Sequence, residues 1–226
     1  MLAGCGETKE TTTSDFLIKT RLITVSTLDF IEELDRKHSA YPYNIKEFPA
    51  EYNEMVIDLV KILSQEIVLL SAAADKQITV TDQEAMTAEK EFKKEYPKDS
   101  FDKIILEEAI SYPLWKNRFK KNMIIEKLVE QELKGKIEIK PSDIVQFYNN
   151  SYKTTLNSQD SDSDLNKKEN EKELVAELRT QKTQENYNEW VQNLYKTYPV
   201  EINRDKLKSL LMNIKENKGH KNEKKS

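Results

Sequence analysis

One cysteine, Cys5, is all the chain has, so an intrachain disulfide framework is excluded. It holds two histidines, His38 and His220, far apart in sequence. A metal centre needs clustered His, Cys or carboxylates, and two distant histidines do not supply one. Only four glycines occur, with no Gly-x-Ser-x-Gly turn and no glycine-rich phosphate loop. No catalytic residue, metal ligand or cofactor site stands out, and no enzyme is expected. Long uncharged apolar runs are absent as well. The most apolar stretch, 55–74, carries Asp58, Lys61 and Glu66. A bilayer would penalise each of those charges, so the stretch reads as an amphipathic core helix.

What the 226 residues do contain is charge, at 34% of positions, with a net balance of only −4. Acids and bases are interleaved, as on solvated helix faces, and the pairs Glu32 with Glu33, Glu107 with Glu108 and Glu130 with Glu132 fit that reading. No compact basic patch marks the folded part, so nucleic acid is not an expected partner. Few glycines with many Lys, Glu and Leu favour long helices over sheet. The length suffices for one or two domains with a real core.

A phrase recurs three times: Ile23-Thr24-Val25-Ser26-Thr27-Leu28-Asp29, then Ile78-Thr79-Val80-Thr81-Asp82-Gln83-Glu84, then Ile137-Glu138-Ile139-Lys140-Pro141-Ser142-Asp143. Each is a short alternating apolar stub, a hydroxyl or proline, an acid and an amphipathic run. Each therefore predicts an extended segment delivering the chain to a helix, with a hydroxyl to cap the free N–H groups and an acid at the positive end of the dipole. Further along, periodicity predicts a strand over 16–25 and helices over 27–37, 50–77, 81–96, 100–111, 114–134, 141–152 and 171–198. Gly135 is placed to end one of them, 114–134, as a C-terminal cap. A strand over 200–203 and a last helix over 205–215 follow. The Ser, Asp and Asn-rich stretch 153–170 has almost no apolar content and is expected to be a linker.

These pieces resemble the SurA/PrsA family of exported chaperones and parvulin-type foldases. The passage Ile78-Thr79-Val80-Thr81-Asp82 is similar to the family's I-x-V-T-D turn. Tyr96-Pro97 to Phe101 resembles its Y-P-x-x-x-F step. Ile137 to Tyr148 resembles its exit toward the isomerase, and Gln181-Lys182 to Trp190 with Val200 to Asn203 resembles its closing helix and strand. The resemblance implies a mainly α fold, a SurA N-terminal-like helical domain in which a two-stranded β element pairs segment 17–25 with 200–203. It divides the chain into a tether (1–15), one helical chaperone domain (16–152 plus 171–212), the linker (153–170) where a parvulin domain would lie, and a Lys-rich tail (213–226). That linker is too short and too polar for a second core, so no prolyl isomerase activity is expected.

Leu2-Ala3-Gly4-Cys5 resembles a bacterial lipobox, whose cysteine carries lipid after signal cleavage. No leader precedes it as written, so the signal is expected to have been trimmed. The expectation is thus an extracytoplasmic, lipid-anchored protein, in the periplasm or at a cell surface, holding unfolded or newly exported polypeptides without ATP. A scaffold lipoprotein for one dedicated partner is the alternative, and a homodimer is left open. Client binding needs exposed apolar side chains with loose geometric demands. Candidates are Tyr41, Tyr43, Phe48, Met55, Tyr112, Trp115, Phe119 and Met123. The tyrosines beside Pro42 and Pro113 are the better surface positions, whereas Trp115 and Phe119, spaced i and i+4, fit a packed face.

Overall fold

The computed structural model describes residues 15–97, 100–107, 110–152 and 164–213. It is mainly helical, at 75%, with a small antiparallel sheet. In chain order its elements are β1 (Phe16–Lys19), β2 (Thr24–Ser26), α1 (Thr27–His38), α2 (Pro49–Asp75), α3 (Asp82–Lys94), α4 (Ser100–Glu107), α5 (Tyr112–Glu132), α6 (Pro141–Phe147), α7 (Asp164–Thr197), β3 (Glu201–Ile202) and α8 (Arg204–Leu210). Two compact units divide them. One comprises residues up to Val68 together with those from Pro199, and the other runs from Leu69 to Tyr198.

The first unit is tied by its sheet, of order β2-β1-β3. Ile18 pairs with Ile202 and Lys19 with Glu201, so the two ends of the chain do meet as the resemblance implies. A lone strand leaves an unpaired edge, and these two stubs cover each other. The Lys19–Glu201 ion pair, at 3.1 Å, and the Lys206–Asp15 pair, at 2.5 Å, flank the ladder. The sheet differs from expectation in having three strands, because segment 16–25 folds back on itself. Thr20 causes the turn: its buried hydroxyl accepts the N–H groups of Leu22 at 3.2 Å and Ile23 at 3.1 Å. Strand β2 then pairs with β1, setting Val25 opposite Ile18. Beneath the sheet lies a core of Leu17, Ile18, Phe30, Leu34, Met55, Val56, Leu59 and Leu63. Burying each such large side chain stabilises by roughly 1.5–3 kcal/mol.

The capping expectations hold at two of three phrases. Ser26 and Asp29 form a reciprocal capping box at α1, and Thr81 with Glu84 does the same at α3. At α6 the hydroxyl takes no part. The Asp143 carboxylate alone accepts the Lys140 N–H, at 3.0 Å, since Pro141 occupies the first helical position.

In the second unit the end of α2, with α3 to α7, buries Ala72, Ala73, Val80, Phe101, Leu128, Leu178 and Val191. Helix α2 closes in a Schellman motif. The Ile78 N–H donates to the Ala73 carbonyl at 2.8 Å and the Gln77 N–H to Ala74 at 3.1 Å, with Gln77 at φ 57°. Gly135 is not the C-terminal cap expected of it: α5 ends at Glu132 with Leu133 as its cap, and no described glycine has positive φ. Its role is close approach: a Cβ there would lie 2.9 Å from the Glu130 carbonyl oxygen. Helix α7 begins at Asp164, inside the stretch expected as a linker. Residues 153–163 and 214–226, with the tether before residue 15, lie outside the described residues.

Candidate binding surfaces

The eight candidate residues fall into two sets, one in each unit. In the first unit, Tyr41, Tyr43 and Phe48 sit between α1 and α2, where Pro42 and Pro49 keep the backbone out of a continuous helix. All three are exposed, Tyr43 at 92%. Leu28 and Ile31, three residues apart on α1, also face solvent, Leu28 at 63%. Met55 departs from expectation. It is 1% exposed and belongs to the core, because it lies on the α2 stripe with Leu59 and Leu63.

In the second unit, Tyr112, Trp115 and Phe119 line one face of α5. Their rings are nearly parallel along the helix: Tyr112 and Trp115 lie 6.0 Å apart at 19°, and Trp115 and Phe119 lie 4.9 Å apart at 17°. Phe92 of α3 packs on both Trp115 and Phe119, and Phe101 of α4 meets Trp115 edge-on at 4.9 Å. Edge-to-face and offset contacts of this kind add about 0.5–1.5 kcal/mol per pair beyond area burial. The cluster is thus a small aromatic core, with Trp115, Phe119 and Met123 half-buried and Tyr112 exposed at its rim. The sequence reading missed Phe92. Its partner Tyr96 was visible in the Y-P-x-x-x-F step, and that step does join Tyr96 to Phe101, at 5.6 Å.

A polar anchor sits at that rim. The Tyr112 hydroxyl donates to the Glu89 carboxylate at 2.5 Å, and Lys93 donates to the same oxygen at 2.8 Å. Burial opposes the charge on Glu89, but the bonds from Lys93 and Tyr112 prevail and hold its carboxyl below the usual range. The Lys93 ammonium also lies 4.7 Å from the Phe101 ring centre and 5.0 Å from that of Tyr112.

Two grooves flank α7. The smaller, about 200 Å³, lies against α6 between Phe147 and Leu178. The larger, about 400 Å³, lies beside the turn Lys134–Lys136 and includes Ile137, Glu138, Glu189 and Trp190. Lys182, paired with Asp143 at 3.1 Å, borders both. Among the described residues no group of three His, Cys, Asp or Glu is placed to hold a metal ion, and no helix is long and apolar enough to cross a membrane. Cys5 and His220 lie outside the described residues. No known family model matches the chain, and a search of curated proteins finds no match either.

Proposed function

We propose that this chain is an ATP-independent holdase of the SurA/PrsA kind. It works outside the cytoplasm, anchored through lipid on Cys5, and lacks prolyl isomerase activity. The observation that carries the reading is the run of exposed apolar side chains from Leu28 to Phe48: Leu28, Ile31, Tyr41, Tyr43 and Phe48 face solvent within one short span. Soluble proteins rarely spend that much apolar surface without a binding role, and loop aromatics adapt to varied partners. The pairing of β1 with β3 supports the reading further, since the resemblance implies that the chain ends close on each other.

The test is light scattering from a denatured client diluted into buffer, with and without the Cys5→Ser chain. The reading expects suppression at near-stoichiometric amounts. It also expects the triple variant Tyr41→Ser, Tyr43→Ser, Phe48→Ser to lose most of that suppression while its thermal midpoint stays within a degree or two, because exposed positions contribute little to stability. A folded chain that suppresses nothing overturns the general holdase and directs attention to a single dedicated partner, sought by pull-down.

A further inference from the structure

Residues 137–140, between the turn Lys134–Lys136 and α6, are extended. Ile137 has φ −73° and ψ 116°, and Lys140 has φ −87° and ψ 152°. Ile137 and Ile139 are half-buried while Glu138 and Lys140 are exposed, which is the alternation of a strand. Among the described residues no strand pairs with this extended segment. The Ile137 N–H donates to Lys134 at 3.3 Å and the Lys140 N–H to Asp143. Among the described residues, the N–H groups of Glu138 and Ile139 and the carbonyls of Ile137, Glu138 and Ile139 meet no partner. A free extended edge is a template for another chain.

The surroundings say what kind of chain fits. Ile137 and Glu138 form one wall of the 400 Å³ groove, and Trp190 of α7 lines it too. Trp190 is half-buried, and its indole N–H has no acceptor among the described residues. Most charges here are already matched: Glu132 takes Lys136 at 2.8 Å and Lys76 at 2.7 Å, and Lys182 takes Asp143. Glu138 and Glu189 have no ion pair among the described residues, so the uncompensated charge of the groove is negative.

We infer that this groove is a strand-addition site. An extended polypeptide segment pairs its main chain with residues 137–139, sets an apolar side chain against Trp190, and brings lysine or arginine to Glu138 and Glu189. Main-chain pairing makes such a site tolerant of sequence, and the aromatic wall and the two acids give it a preference for apolar residues flanked by basic ones. The inference rests on reading the chain as a polypeptide binder and adds the place and mode of binding.

The test is amide hydrogen exchange on the whole Cys5→Ser chain, using as probe a short acetylated and amidated peptide that alternates lysine and valine around a central leucine. Saturating probe is expected to slow exchange at Glu138 or Ile139 about tenfold or more, as formation of a ladder bond does. N-methylating alternate probe residues in one phase should abolish the protection, and in the other phase should leave it, because successive residues of a strand point to opposite edges. Trp190→Ala and Glu138→Lys should each weaken probe binding about tenfold by fluorescence anisotropy, and Glu138→Lys, at an exposed position, should do so at unchanged thermal midpoint.

Absence of probe binding overturns the inference. So does binding without protection of these amides, or equal binding of both methylated forms. Protection that appears without probe and grows with protein concentration assigns the edge to a second copy, and likewise overturns it. The two readings separate cleanly. A chain that suppresses scattering but shows no protected amide keeps the holdase and loses this site. A chain that protects the amide but suppresses nothing keeps the site and loses the holdase.

Discussion

Two single residues carry local costs and gains that can be measured. Gln77 adopts φ 57°, a conformation that glycine reaches without steric cost and glutamine does not. Gln77→Gly should therefore stabilise the second unit by about 0.5–1 kcal/mol, read as a higher urea midpoint, with Gln77→Ala close to neutral. Glu84 is the other. Bonds from Lys127, at 2.6 Å, and from the Thr81 N–H and hydroxyl lower its carboxyl from the ordinary 4.5 to about 2. A depressed carboxylate stabilises the fold above its unfolded pKa and stops doing so as pH falls through its folded one. The gap in thermal midpoint between the native chain and Glu84→Gln should be full above pH 4.5 and close as pH falls toward about 2. A gap that stays constant across that window would show that the Lys127 and Thr81 bonds do not form in solution.

Among the elements, those specified by local pattern were legible and those specified by distant partners were not. The openings of α1 and α3 could be read because Ser26 with Asp29, and Thr81 with Glu84, lie within one turn of each other. The hairpin at Thr20 could not, for no Gly, Pro or Asn marks it and a buried threonine hydroxyl does the work. The start of α7 was hidden by a polar run that looks like linker. Among the candidate surfaces, prolines marked the loop of Tyr41, Tyr43 and Phe48. The assembly of Phe92, Phe101 and Trp115 joins three helices and has no signature in the periodicity of any one. The alternation at residues 137–140 was visible, but the lack of a neighbour was not. A long-range contact of α2 shows the same limit. Asn53 donates to the Met212 carbonyl and accepts the Met212 N–H, both at 2.8 Å, across 159 residues. Asn53→Ala should cost about 1–3 kcal/mol by stranding both backbone groups. Chemical denaturation monitored in the first unit would show it, and a loss under about 0.5 kcal/mol would mean that water replaces the amide.

For the whole molecule, the two units differ in how their chain is gathered. The second is continuous in sequence, and the first is built from both ends. Closing a long loop before any contact repays it slows folding. In pulse-labelled refolding, amides of α3 and α5 should gain protection before those of Leu17 and Ile18, and the reverse order would contradict this assembly. The same clasp has a mechanical side. Strands β1 and β3 are antiparallel, and the chain leaves both of them at the same end of the ladder. Tension applied between residues 15 and 213 loads the ladder in peeling geometry, not in shear. The Asn53–Met212 bonds and the packing of α8 on the core yield first, then the Asp15–Lys206 pair, then the bond from the Asn203 N–H to the Leu17 carbonyl, then the Ile18–Ile202 and Lys19–Glu201 pairs in turn. Once α8 has lifted, the sheet therefore opens like a zip, one contact at a time and at low force, from the end where residues 15 and 203 leave it.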